Sequence, residues 1–412
     1  MTHVASHSNG RRTVPDLPAP WPHARPAYLD AATAVLRSGE WSDYAYGELV
    51  RGFEIQVARY HQRRFCLSTS SGTSALQAGY VGLGLAPGDE AIVPTYSFHA
   101  TVAPLFMLGV VPVLCDVEAD TGNIDVADAA SRVTERTKAV VVTHMWGLPV
   151  DVAAVTRLCR TFGLALVEDC SHAHGARVGG RVVGSFGDVA VMSLGGRKMV
   201  TGGCGGALLT DSEETFHRAL PVGHAHERAE LHLPAEDVAV GLGANFRMSP
   251  VAAAICAEQF NDLDARIAVK TSVLDGLGER LLSNDCGLTP PVRVPGTTRG
   301  GWFGYKALMD RDLDADLLDT YVSHARARGV VIDRPSNKPL HWRRMFRTRS
   351  LEPSYYRLPQ GSARPLYDID EFDGANRFYR RSVSFPAVHL HEPCDGLLDE
   401  YVNALTEVAH EL

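Results

Sequence analysis

Between Phe65 and Thr210, short apolar runs take turns with segments of helical periodicity, and few folds accommodate such a chain. The runs are Phe65–Ser68, Ala91–Pro94, Val111–Cys115, Ala139–Thr143 and Ala165–Val167. The segments between them, Ala75–Leu85, Phe98–Leu108, Val126–Val133 and Val152–Phe162, carry apolar residues at helical spacing. This alternation predicts an α/β protein: a mostly parallel sheet with helices on both faces. Ligands of such sheets gather where the strands end in carboxyl-terminal loops.

The loops at those ends carry the chemistry. After the first run comes Thr69-Ser70-Ser71-Gly72-Thr73-Ser74, leading into a helix. Small residues let backbone N–H groups approach a phosphate, and the helix N-terminus adds positive potential. Many such turns bind nothing, so this motif alone decides little. The stretch from Val167 to Asp211 says more. An apolar run ends in Glu168–Asp169, a second run (Val189–Met192) ends at Ser193, and Gly195-Gly196-Arg197-Lys198 follows before the strand-like Gly206–Thr210. One carboxylate and one amine thus reach loop mouths at the same sheet edge. A buried lysine of depressed pKa forms Schiff bases, and an acidic partner suits the ring nitrogen of pyridoxal phosphate (PLP). The plain alternative is a strand-end aspartate and a solvated lysine.

Further on, His217, His224, His226 and His232 cluster around an exposed connection, but their spacing fits no usual ligand set, so no metal is expected. Ser249 and Pro250 form a helix start, and that helix runs to about Leu281 with room for a break. Beyond residue 283 the chain reads as a smaller α+β unit. It has strands at Trp302–Met309, Val330–Ile332 and Val383–Phe385, helices at Ala315–Gly329 and Gly396–Glu411, and a loop-rich stretch from Pro335 to Gly361. The expected organisation is a loose arm over 1–25, a large domain over 26–282 and a small C-terminal domain over 283–412.

Composition narrows the class. A net charge of −8 over 412 residues argues against a general grip on nucleic acid. No apolar run approaches the ~18 residues of a spanning helix, and the first residues carry no secretory signal. The eight cysteines include no CxxC pair, so neither a zinc cage nor a disulfide framework is indicated, and a cytoplasmic setting is expected.

Taken together, the motifs resemble the DegT/DnrJ/EryC1/StrS family of PLP-dependent sugar and cyclitol aminotransferases, of fold type I. The carriers, in order, are SSGTSAL from Ser70, PTYSFHAT from Pro94, DVEADTGNID from Asp116 and THMWGLPVD from Thr143. They continue with EDCSHAHGA from Glu168, VGSFGDVAVMS from Val183 followed by Lys198, and GANFRMSPVAAA from Gly243. The resemblance spans about Tyr28 to the C-terminus. It implies that Lys198 is the Schiff-base lysine and proton shuttle, and that Asp169 keeps the cofactor's ring nitrogen protonated. It implies phosphate contacts from Ser71, Gly72, Thr73 and Ser193, and stacking by Phe98, with Tyr96 as a nearby competitor. His172 stands where many members place a glutamine facing the 3′-oxygen, and a histidine there is expected to make its charge state pH-dependent. Asn245 matches a residue given across a dimer interface, which implies a homodimer.

Four positions depart from the family pattern: Leu194 and Gly195, where less side chain would widen the substrate end of the pocket, Arg197 before the lysine, and Cys204 in place of an acidic residue. The implied activity is transfer of an amino group from glutamine or glutamate to a keto-cyclitol or keto-sugar in secondary metabolism of the aminoglycoside kind. Two alternatives stay open. One is dehydration and aromatisation of an aminated cyclic ketone, as in aminohydroxybenzoate synthesis. The other is a non-catalytic sensor.

Overall fold

Seven strands build the central sheet of this computed structural model, which describes residues 17–42, 46–224, 227–234, 244–310, 315–352, 356–360 and 363–412. Along the chain come β1 (Phe65–Thr69), β2 (Glu90–Pro94), β3 (Val111–Cys115), β4 (Thr137–Thr143) and β5 (Ala165–Asp169). A small hairpin, β6 (Arg177–Val178) and β7 (Arg181–Val182), precedes β8 (Val189–Ser193) and β9 (Gly206–Thr210). The sheet order is β1-β9-β8-β5-β4-β2-β3. All pairings among β2, β3, β4, β5 and β8 are parallel, and only β9 runs against its neighbours β1 and β8.

The strands are apolar on both faces because both are covered. Along β8, Val189 and Val191 pack with β9 Leu208 and helices α3 (Gly72–Gly82) and α7 (Glu213–Gly223). Ala190 and Met192 point the other way, into a core shared with α2 (Glu48–Tyr60) and α9 (Pro250–Asn261). Local signals fix the helix ends. Ser71 caps α3 through a bond to the Ser74 N–H, and Gly163 closes α6 (Val152–Phe162) at φ +65°.

Departures from the sequence reading have local causes. The helix expected over Phe98–Leu108 splits into a single 3₁₀ turn, His99–Thr101, and a short α4, Ala103–Met107, with Pro104 in its first turn. The break allowed for in the helix that starts at Pro250 does occur, at Asp262, and α10 runs from Leu263 to Ser283. The Asp262 carboxylate is held there by Arg25 and Arg266, 2.8 and 2.7 Å away. Val330–Ile332 is no strand; a single bridge, Asp333 to Ser384, stands in its place. The polar helix α13 (Asp373–Arg381) was hidden by its charge.

A three-stranded antiparallel sheet forms in the C-terminal part, ordered β10 (Leu288–Thr289), β12 (Tyr305–Met309), β13 (Ser382–Phe385). It shares an apolar core with α11 (Ala315–Ala327), α14 (Asp395–Glu411) and the second half of α10. Strand β11 (Thr297–Thr298) instead joins the β6–β7 hairpin, tying this part to the loops beyond β5. Residues 17–25, read from sequence as part of a loose arm, are held in place. Trp21 N–H donates to Val388 O at 2.8 Å, and His389 and His391 bond to the Pro18 and Ala19 carbonyls. No described helix is long and apolar enough to cross a membrane.

Candidate active site around Lys198

The carboxyl ends of β1, β5 and β8 meet. Gly72 opens α3 directly against Ser193 at the end of β8: a Cβ on Gly72 would stand 2.8 Å from the Ser193 Cβ and 3.0 Å from its Cα. A Cβ on Gly206 would lie 2.3 Å from the Ser71 carbonyl oxygen. Both glycines are therefore demanded by close backbone approach, which packs the β1–α3 turn tightly onto β8 and β9. The first-turn amides of α3 face this edge, as an anion requires. Thr73 and Ser193 are half-buried beside it.

The two adjacent carboxylates do different work. Burial alone would raise the Glu168 pKa, but the His144 imidazole and the Gly184 and Gly187 amides overrule it and hold the carboxyl down at about 2. Its oxygens accept from His144 Nε2 at 3.1 Å and from the amides of Gly184, Phe186 and Gly187 at 2.9, 2.8 and 2.6 Å. Glu168 is thus spent on pinning the loop between β7 and β8. Asp169 is buried and keeps capacity: Oδ1 accepts from the Ser171 N–H at 3.0 Å and Oδ2 from Thr101 Oγ1 at 3.3 Å. Thr101 is braced in turn by Ser97, which bonds Thr143.

The backbone around Lys198 is clamped by side chains from four segments. Trp21 Nε1–H donates to Lys198 O at 2.8 Å, and Arg266 Nη1 to Met199 O at 2.8 Å. The Val200 N–H donates to His174 Nδ1 at 3.2 Å, and Gln259 exchanges two 2.8 Å bonds with the Thr201 backbone. Arg266 also lies over the Trp21 ring, 4.7 Å from its centroid. Replacing Trp21 by phenylalanine keeps that stack but orphans the Lys198 carbonyl. The expected cost is about 1–2 kcal/mol, read as a lower melting temperature in calorimetry.

Lys198 Nζ sits 3.7 Å from the centroid of the Phe303 ring. Burial draws its pKa down to about 8, against the pull of the Asp169 charge. The Phe303 ring is stacked on His172 (4.2 Å, 14°), and His172 on Trp146 (5.3 Å, 23°). His172 Nδ1 is buried without a hydrogen-bond partner. The expected pH-dependence of this imidazole is corrected: burial first, then the charges of Lys198 and Lys306, push its pKa well below the usual histidine value, so it is neutral across the physiological range.

The remaining positions sort clearly. Tyr96 is fully buried among Trp146, Phe378 and Tyr379, whereas Phe98 is 47% exposed and its ring is free to face a ligand. Asn245 is exposed, one residue before Phe246, whose carbonyl accepts from the Ser70 N–H of the β1–α3 turn. Leu194 is buried in the core with Met248, so it does not widen a pocket. Arg197 and Cys204 are exposed. Of the clustered histidines, His224 is buried and bonded to Ser68 O at 2.8 Å, while His226 lies outside the described residues.

Three residues went unmarked in the sequence, Phe303, Lys306 and Trp21, and Trp146 entered only as part of the THMWGLPVD motif. Lys306 is buried, its Nζ 4.4 Å from the Trp146 centroid. A readable trace of Phe303 was the glycine run around it. A Cβ on Gly300 would come within 2.0 Å of Ala176 N, and one on Gly304 within 2.9 Å of the Trp146 ring.

The chain is similar to known proteins. The model of the DegT/DnrJ/EryC1/StrS aminotransferase family matches residues 23–360. The L-glutamine:scyllo-inosose aminotransferase of Streptomyces griseus is 31% identical over 94% of this chain and 93% of its own. The L-glutamine:2-deoxy-scyllo-inosose aminotransferase of Streptoalloteichus tenebrarius is 34% identical over 79% of each. Among solved structures, 3-amino-5-hydroxybenzoic acid synthase superposes with a TM-score of 0.84 at 24% identity, over 97% of this chain and all of that one, a likeness of fold. A family match running from the N-terminal strap to beyond β12, over a sheet edge that carries Asp169 and Lys198, leaves one assignment: the chain belongs to the DegT/DnrJ/EryC1/StrS aminotransferase family.

Proposed function

We propose that this enzyme moves an amino group from glutamine to a keto-cyclitol, with PLP held at Lys198. The single observation that carries the reading is a buried-side amine drawn to about 8 at a sheet edge whose neighbouring strand presents a buried carboxylate. The glutamine donor and the cyclitol acceptor are drawn from what the two 31% and 34% identical relatives are named for.

The residues fit the cofactor. The close approach of Gly72 to Ser193 brings the first amides of α3 beside Ser71, Thr73 and Ser193, a donor set that suits a phosphate. The orphaned Nδ1 of neutral His172 offers a bond to the 3′-oxygen. Phe98 supplies a ring face, and Asp169 a carboxylate for the ring nitrogen. When bound, PLP supplies an electron sink that labilises a bond at the amine-bearing carbon. The protein's share is to hold and move one proton. Lys198, its pKa drawn down to about 8, takes it from one carbon and returns it to another, at the rate its free-base fraction allows.

Borohydride reduction of the yellow holoprotein should leave a pyridoxyl group on the Lys198 peptide in mass spectra. Cofactor released after incubation with glutamine alone should carry the amino group, and scyllo-inosose should then remove it. A colourless protein that never labels at Lys198 overturns the reading and favours a sensor. Attachment of added PLP to cofactor-free protein should rise with pH through about 8, since the amine reacts only when unprotonated.

The reading includes a homodimer, with Asn245 serving the phosphate of the second copy. Mixing two inactive variants, Lys198→Ala and Asn245→Ala, should then restore about a quarter of wild-type activity. Half the dimers become mixed, and each of those has one intact site.

A further inference from the structure

We propose that Phe303 is a positioning residue for the catalytic amine: its ring face is the seat that Lys198 Nζ occupies whenever it is free of the cofactor. The proposal rests on the aminotransferase reading, in which that amine is released and recaptured in each half of the reaction.

The chain goes to unusual lengths to place this ring. Trp302, the residue before it, adopts φ +41°, a backbone region costly for a tryptophan. Gly301 approaches the His172 carbonyl so closely that a Cβ would lie 3.0 Å from its oxygen. The Gly301 carbonyl is fixed from the other side by the buried Lys270, whose Nζ donates to it at 3.1 Å. The ring itself lies nearly parallel to His172, 4.2 Å away. Simple core filling needs none of this. Phe303 is only half-buried, and one face of its ring meets an ammonium group.

The chemistry explains the choice of an aromatic. Lys198 Nζ has no ion pair among the described residues, and its most intimate contact is the ring at 3.7 Å. A carboxylate at that point would hold the protonated amine too firmly to release it. An aliphatic side chain would leave it desolvated and displaced. The quadrupole of a ring attracts the cation modestly over its face and binds it to no single atom, so the amine is kept close yet swings back freely. The other charged or titratable groups around Lys198 are Asp169 on β5, His172 and His174 on the following loop, and Lys306 on β12. Both histidines are held neutral by burial, so the ring and Asp169 are what favour the protonated form.

The experiment compares cofactor-free wild type with Phe303→Met and Phe303→Tyr. Lys198 is labelled with acetic anhydride across pH 6–10 and quantified by peptide mass spectrometry, with melting temperatures measured alongside. Phe303→Met, which fills space without a π face, should shift the labelling midpoint down by about half a pH unit or more, and Phe303→Tyr should restore it. In the loaded enzyme, Phe303→Met should lower kcat several-fold with little change in KM for either substrate. An unchanged midpoint in a stably folded Phe303→Met overturns the proposal, as does a shift that Phe303→Tyr fails to reverse. Should Phe303→Met not fold, an altered midpoint in Phe303→Tyr has the same force against it. Absence of pyridoxyl label on Lys198 in wild type would instead sink the aminotransferase reading, whatever the midpoints show.

Discussion

Lys198→Ala is expected to abolish amino transfer, with a loss of at least about 10³-fold in kcat. Folding should survive, because the loop is held through its backbone by Trp21, Arg266, His174 and Gln259 rather than through the lysine side chain. The melting temperature should therefore stay near that of the wild-type cofactor-free protein. Lys198→Arg should be equally inactive, since guanidinium keeps the charge but never becomes a free base. Steady-state assays of both variants beside calorimetry separate lost chemistry from lost structure. A Lys198→Ala protein that turns over at the wild-type rate would refute the assignment of the amine.

The second large effect is on stability. Glu168→Ala is expected to cost about 3–5 kcal/mol and to lower the melting temperature by several degrees. The substitution strips an acceptor from the amides of Gly184, Phe186 and Gly187, in the loop between β7 and β8, and from His144 at the end of β4. Arg63, 3.9 Å from Glu168, would keep its tight pair with Asp211 and the Gly184 carbonyl, which caps the loss. The sign with pH follows from a folded pKa lying below the usual carboxylate value. The contribution is complete above about pH 4.5 and fades as pH falls toward 2. The gap between wild type and Glu168→Gln in denaturant melts should accordingly narrow below pH 4.

Strands β3 and β9, and helix α6, run over the residues that apolar periodicity marked, because each is buried on the faces its pattern implies. The shared placement of Asp169, the last residue of β5, and Lys198, in the loop after β8, was legible for a related reason: the carboxyl ends of neighbouring parallel strands lie at one edge of the sheet. Phe303 was not legible. It comes from a segment more than a hundred positions downstream, inside the run Trp302–Met309 that reads as a strand, where nothing in the spacing marks one ring for the site. Its placement depends on Gly147 and Gly300, which let three backbones touch, and on Gly304, which makes room for the Trp146 ring. Likewise, burial and neighbouring charge set the state of His172, and neither is a property of its sequence neighbours. Leu194 misled in the opposite direction: a position beside the functional loop faced the core instead.

The indole of Trp21 has a practical corollary for anyone trimming this polypeptide. The match to the family model starts at residue 23, two positions after the side chain that grips the Lys198 carbonyl from behind. A shortened version cut at that boundary would still contain every candidate site residue, and would yet forfeit the brace between residues 388–391 and the backbone behind Lys198. Its shortfall would show as sluggish turnover and heat sensitivity in a protein whose catalytic inventory looks intact.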